Sequence, residues 1–252
     1  MFIDTHCHLE LLKDIPKAIN NAKKAGVEII VYNSVNLKTM KLALELGEKY
    51  NEVKVALGID PIEMLKLTED EIKEDINFIR KNKDKIIAIG EVGIDLKENS
   101  EFEKQKKNFS RFINLASELN IPLIVHSRKA EEKVIEILEK ENCKKVMMHC
   151  FNGNFKLIKR IIENNWILSI PTNVTNSEHF QKIIEIVPIK NLLCETDSPF
   201  LHPIKGAFPN EPANVIESYK MISKIKKISL KETEEKIQNN FIIFYKNCRS
   251  NA

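Results

Sequence analysis

The sequence predicts an α/β fold, a (β/α)8 TIM barrel forming a single domain over residues 1–252. Three observations carry this expectation. Apolar, mostly β-branched runs alternate eight times with helical patterns, in units of roughly 25 to 40 residues, the mark of parallel strands joined by crossover helices. The length of 252 residues matches the ~250 typical of a closed barrel. No glycine-rich phosphate fingerprint follows any strand, which argues against an open doubly wound sheet, and no linker or internal repeat divides the chain.

The elements follow in order. The opening strand runs into Asp4-Thr5-His6-Cys7-His8, where alternation puts His6 and His8 on one face and Cys7 on the other. Ile15 to Ala25 reads as a helix stopped by Gly26. Val27 to Tyr32 is a strand buried on both faces, Leu37 to Tyr50 a helix, Val53 to Leu57 a strand, and Gly58-Ile59-Asp60-Pro61 a turn before a helix over Glu69 to Lys81. Lys85 to Gly90 is strand four, leading into Glu91-Val92-Gly93-Ile94-Asp95, and Glu101 to Leu119 is a long amphipathic helix. Pro122 opens strand five, which ends at His126; Glu131 to Lys140 is helical; Lys145 to His149 is strand six. Phe155 to Asn164, Trp166 to Ile170, His179 to Ile186 and Leu192 to Thr196 alternate helix and strand, and helices over about 213 to 225 and Leu230 to Lys246 close the chain.

Composition bounds the class. A formal charge of +3, with lysines nearly balanced by acids, shows no basic stripe for a nucleic-acid coat. Arginine is scarce, at five residues, which draws attention to Arg128. Cys7, Cys143, Cys150, Cys194 and Cys248 are odd in number and irregular in spacing, so they read as reduced thiols rather than a disulfide framework. With no signal-peptide pattern and no apolar run near the ~18 residues of a membrane span, the expectation is a cytoplasmic protein that avoids membranes, monomeric and without an obligate protein partner.

Chemistry in a parallel barrel gathers where the strands' carboxyl ends open on one face. His6 and His8 end strand one, Glu91 strand four, His126 strand five, His149 strand six and Asp197 strand eight. Any one of these alone reads more simply as a hydrogen-bonded histidine, a loop acid or a turn cap. Their convergence favours a metal centre, since imidazole and carboxylate are the usual ligands. Four imidazoles and two carboxylates exceed the needs of one catalytic ion, so two divalent ions bridged by Glu91 are expected. His179, in a helix, reads as a surface residue and His202 as a loop residue.

The segments DTHCHLE, GEVGID with Gln105, IPLIVHSR, MHCFNG and ETDSPFL, followed by Asn210-Glu211-Pro212 and Asn240-Phe241, occur in this order along nearly the whole chain. The sequence thereby resembles the TatD-like metal-dependent hydrolases of the amidohydrolase superfamily. That resemblance implies a divalent-metal-dependent deoxyribonuclease, a 3′→5′ exonuclease. It places one ion on His6, His8, Glu91 and Asp197 and the other on Glu91, His126 and His149, with Mg2+, Mn2+ or Zn2+ as the metal. Asp4 and Glu195, on the ligand face by parity, would each orient an imidazole. The chain departs from the pattern at Asp60, where relatives often have histidine, at Asn152, and in the basic run reduced to Lys205-Gly206-Ala207-Phe208-Pro209. An acid at position 60 would repel a phosphate or hold a leaving-group proton.

On this reading Asp197 and Glu91 are catalytic, Asp197 as the base for water. Arg128 and Lys205 would bind a substrate phosphate, and Phe151 and Phe200 would stack a DNA base. One alternative keeps the metals and changes the bond, giving an ester or amide hydrolase such as a D-aminoacyl-tRNA deacylase. A third possibility is a non-catalytic barrel that binds nucleic acid or protein, which loss of a ligand would have favoured.

Overall fold

The computed structural model describes residues 1–246, so Cys248 and Arg249 lie outside the described residues. The strands are β1 (Phe2–Cys7), β2 (Val27–Asn33), β3 (Val53–Leu57), β4 (Ala88–Gly93), β5 (Leu123–His126), β6 (Val146–Met148), β7 (Ile167–Pro171) and β8 (Leu192–Glu195). The helices are α1 (Ile15–Lys24), α2 (Leu37–Lys49), α3 (Pro61–Leu65), α4 (Glu69–Lys81), α5 (Phe102–Leu119), α6 (Glu131–Lys140), α7 (Phe155–Glu163), α8 (Glu178–Ile186), α9 (Ile216–Lys226) and α10 (Leu230–Lys246). The strands lie side by side in chain order, every neighbouring pair parallel. A parallel bridge between Cys7 and Ser198 joins the first strand to the chain just past the last.

Two backbone bonds hold that seam: His8 N–H donates to Ser198 O, and Asp197 N–H to His6 O, each at 2.9 Å. A buried side chain reinforces it. The Asp4 carboxylate accepts from Thr196 N at 2.8 Å and from the Thr196 hydroxyl at 2.5 Å. Its remaining contact is the His6 backbone N–H at 3.3 Å. Asp4 therefore clasps the barrel instead of orienting an imidazole, because the polar groups of Thr196 lie within its reach and no histidine ring does.

Strand and helix patterns explain the packing. The strands are buried almost throughout, as expected of a parallel sheet covered by helices. In α5, Phe109, Phe112, Ile113 and Ala116 recur at helical spacing and are all buried, which lays the helix on the barrel wall. Capping boxes at Asn36 with Thr39 and at Thr68 with Glu71 fix the starts of α2 and α4.

Several boundaries differ from expectation by a residue or more; β6 stops at Met148, one before His149, and three others reshape the loops at the mouth. Strand β4 begins later and contains Glu91, because its register sets Gly93 against His126 of β5 and draws the paired segment onward. A short helix, α3, follows the turn at Asp60, whose side chain accepts from Ile62 N and Glu63 N. Strand β8 stops at Glu195 and the chain turns through Asp197 at φ +51°.

Gly93 shows how tight the β4–β5 junction is. It stands at φ +151°, and a Cβ there would lie 1.9 Å from His126 O. Gly93→Ala is expected to destabilise the protein by about 3 kcal/mol or more, since an L side chain meets both backbone strain and a backbone clash. A lowered urea midpoint checks this; an unchanged one would show that the junction can relax.

Candidate metal centre

The carboxyl ends of five strands bring the six residues together. Glu91 is buried at their centre and divides its two oxygens between two groups. Oε2 lies 3.4 Å from His6 Nε2 and 3.3 Å from His8 Nε2. Oε1 lies 2.7 Å from His126 Nδ1 and 3.7 Å from His149 Nε2. The first group is completed by Asp197, whose Oδ1 is 3.7 Å from His6 Nε2 and 3.5 Å from His8 Nε2. The left-handed turn at Asp197 is what aims this carboxylate back over β1.

The spacing tests whether a cation fits. His6 Nε2 and His8 Nε2 are 3.2 Å apart, so five separations among the four donors span 3.2–3.7 Å. His6, His8 and Asp197 form a converging set of ligand atoms, and Glu91 Oε2 stands within 3.4 Å of both imidazoles in it. Glu91, His126 and His149 form a second set of converging donors. Both sets fit divalent metal by the chemistry and convergence of their donors.

Behind the donors stands a layer of groups that fix the rings. His149 Nδ1 lies 3.1 Å from Glu195 Oε2, and Glu195 also accepts from Cys150 N at 2.9 Å and from the Ser169 hydroxyl at 2.5 Å. His8 Nδ1 lies 3.2 Å from the Asn33 carbonyl oxygen at the end of β2. His126 Nε2 lies 3.0 Å from Asp95 Oδ2. Asp95 is in turn held through its backbone by Gln105, whose Oε1 accepts from Asp95 N at 2.7 Å while Nε2 donates to Asp95 O at 3.0 Å. Sequence reasoning quoted Asp95 and Gln105 in the motifs without giving either a role. The rule that found Glu91, an acid at a strand's carboxyl end, applies equally to Asp95.

Electrostatics follow from this packing. Burial disfavours a charged His126, but its bonds to Asp95 and Glu91 prevail and push it up to about 10. Burial likewise opposes charge on His8, and Asp197 and Glu91 raise it well above the usual imidazole range. His6, buried and beside His149, is held below that range. Burial alone would raise Glu91, yet the imidazoles of His126, His6 and His8 hold it well below the ordinary carboxylate value. Without metal, protons shared among the imidazoles balance the carboxylates.

The centre opens into a cavity of about 730 Å³. Arg128 and Phe200 line it. The Arg128 guanidinium is about half exposed and pairs with Glu98 at 3.2 Å. Phe151 does not line it: the ring is 1 % exposed and packs beneath Gly153, so it is a core residue unable to stack a base. Cys150, at φ +41°, breaks the strand alternation, so that it lines the cavity beside His149 and Phe151 turns into the wall. Lys205 is exposed on the loop after β8 and is absent from the lining. His179 is tied to Phe151 O at 3.2 Å, and His202 accepts from Ile204 N at 3.0 Å. Asn210 ties the same loop down, donating to Thr172 Oγ1 at 2.9 Å and Thr196 O at 3.0 Å. Asn240 anchors α10 to Leu192 O at 2.9 Å.

A family model described as TatD related DNase matches residues 3–246. The chain belongs to this family. It is a metal-dependent hydrolase of ester bonds, and its relatives carry matching names. An uncharacterized metal-dependent hydrolase of Methanocaldococcus jannaschii is 38 % identical over 248 residues, covering 97 % of each chain. Human deoxyribonuclease TATDN3 is 31 % identical over 262 residues, covering 98 % of this chain and 95 % of its own. The crystal structure of the TatD homologue YjjV from Escherichia coli superposes with a TM-score of 0.91 at 24 % identity, covering 97 % of this chain and 98 % of that one, and shows the same barrel. No helix among the described residues is long and apolar enough to cross a membrane.

Two outcomes test the centre. Asp95→Ala is expected to weaken metal binding about 10- to 100-fold, the usual effect of losing a ligand's hydrogen-bond partner; calorimetric titration of stripped protein with Zn2+ or Mn2+ measures it. Metal uptake at pH 7 should release protons, and affinity should climb as pH rises toward about 10, where His126 gives up its proton unaided. Titrations in buffers of differing ionisation enthalpy report the protons released. Uptake without proton release would contradict the charge balance drawn above.

Proposed function

We propose that the protein hydrolyses phosphodiester bonds of DNA, as a deoxyribonuclease working from the 3′ end, with two divalent ions held by the six converging residues. The observation that supports this best is the division of Glu91, one oxygen toward His6 and His8 and the other toward His126 and His149. A single buried carboxylate placed so would help to hold a cation on either side. The relatives named deoxyribonuclease add the substrate class.

Bound there, divalent cations supply Lewis acidity toward the phosphoryl oxygens and lower the pKa of water, Mg2+, Mn2+ and Zn2+ all being suited to the work. The chain's own residues do the rest. Asp197, partly open to the cavity and held low in pKa by His8, His149 and His6 against the effect of burial, stays ionised at neutral pH and accepts the proton of the attacking water. Glu91 is enclosed by imidazoles and holds the two halves of the centre in fixed relation. Asp95 and Glu195 fix the rings of His126 and His149. Arg128 reaches the cavity wall and contacts the substrate phosphate, in competition with Glu98. Phe200, 48 % exposed at the rim, offers a ring face to the terminal base.

Metal-stripped protein reconstituted separately with Mg2+, Mn2+ and Zn2+ should shorten a single-stranded oligonucleotide stepwise from its 3′ end. His126→Ala and Asp197→Ala should each lower turnover about 10²- to 10⁴-fold while circular dichroism stays unchanged, the range expected for losing a base or a ligand. No shortening with any ion, together with metal-dependent cleavage of an aminoacyl ester, would replace the nuclease reading with the deacylase one.

A further inference from the structure

The walls of the cavity carry an unexpected charge for an enzyme of polyanions. Apart from Glu91 and Asp197, six carboxylates line it: Glu10, Asp60, Glu63, Asp95, Glu98 and Glu131. Arg128 is the one permanent cation among the lining residues, since His8, His126 and His149 give up their protons when they hold metal. With the imidazoles neutral, eight carboxylates against one guanidinium give the mouth a formal −7, and two divalent cations would bring it only to −3. Outward relief is small. Glu63 pairs with Lys66, which stands outside the lining.

The groups that could cradle phosphates beyond the one being cleaved are engaged within the protein, Arg128 being shared with Glu98. Arg128 is paired with Glu98 at 3.2 Å and faces Asp95 at 3.9 Å. The N–H groups of Ile62 and Glu63, beside the cavity, are bonded to Asp60 Oδ1 at 2.8 and 3.1 Å. Those of Lys97 and Glu98 go to Asp95 Oδ1 at 2.8 and 2.9 Å. Lys205, on the loop where a basic run was expected, is not in the wall. On the other side the rim is apolar, formed by Leu11, Phe200 and Leu201.

We infer that this site selects substrates carrying a single phosphodiester charge, and discriminates against strands that bring further phosphates to the mouth. The inference rests on the phosphodiesterase reading above and narrows its substrate class. The metal centre neutralises the one phosphate being cleaved. A neighbouring phosphate meets Glu98, Glu131 and their fellow carboxylates, while an uncharged nucleoside flank rests against Phe200 and Leu201. Charges ~8 Å apart across partly screened water repel weakly one pair at a time, but several pairs together amount to about a tenfold effect at low ionic strength.

The test compares metal-loaded protein acting on the dinucleoside monophosphate TpT, with one charge, and on a decathymidylate. At ~20 mM salt, kcat/KM per cleavable bond should be about tenfold higher for TpT. Raising salt to ~200 mM should speed the decamer and leave TpT nearly unchanged, the reverse of the usual loss of nucleic-acid affinity with salt. The double variant Glu98→Gln/Glu131→Gln should raise decamer kcat/KM about tenfold and TpT much less. Fluorescence anisotropy adds a readout apart from turnover: labelled decamer should not bind metal-free protein at low salt. Decamer turnover that falls with salt, or a double variant that leaves the decamer unchanged, would overturn the inference and keep the nuclease reading. Hydrolysis of neither substrate would remove both.

Discussion

The structure depends on one buried carboxylate held among four imidazoles. Moving an ionised glutamate out of water is costly unless charge and hydrogen bonds replace the lost solvent. Glu91 has that replacement on both of its oxygens, one toward each group of ligands, and the His6 ring adds a second link by stacking on His149 at 3.7 Å. The arrangement requires its partners to arrive from β1, β5 and the end of β6, on either side of β4. A barrel supplies this because all its strands end on one face. Were Glu91 neutral, the imidazoles would lose the charge that brings them within reach of one another, and the centre would lose its shared wall.

The same logic explains the barrel's seam. His6 and His8 belong to the first strand, while Asp197 follows the last, so this half of the centre exists only if the ends of the sheet meet. The clasp between Asp4 and Thr196 spans 192 positions of sequence and lies directly beneath the ligands. Burial pushes the Asp4 carboxyl up to about 8, with the bonds to Thr196 and the His6 backbone opposing that rise. Closing the sheet and assembling the site are thus one event.

How much was legible follows from which contacts are local. The strands and their order could be read because buried parallel strands are apolar runs with turn signals between them. The convergence of His6, His8, Glu91, His126, His149 and Asp197 was legible because one topological rule places all strand ends together. The rest depends on which atom lies behind which ring. His8 is held by a carbonyl of Asn33, a backbone group that no residue type announces. Asp4 has the parity of a ligand-facing residue, yet its partner is Thr196, a fact set by how the sheet closes. Phe151 sits next to a ligand in sequence and nevertheless points into the wall, since Cys150 takes a left-handed conformation at φ +41° and reverses the alternation.

Charge at the mouth is a property of the same kind. Net charge over the whole chain is slightly positive, and nothing in the composition marks the cavity as acidic. The acidity arises because separate βα loops each contribute carboxylates for local reasons. Asp60 caps α3, and Asp95 both caps the loop after β4 and supports His126. These residues are kept by folding and by ring orientation, and their field reaches the substrate as a by-product. Specificity can therefore be set in part by residues whose first duty is structural. On the selectivity proposed above, bound divalent cations would supply most of the attraction, and the surrounding acids would set how much additional negative charge a substrate can carry.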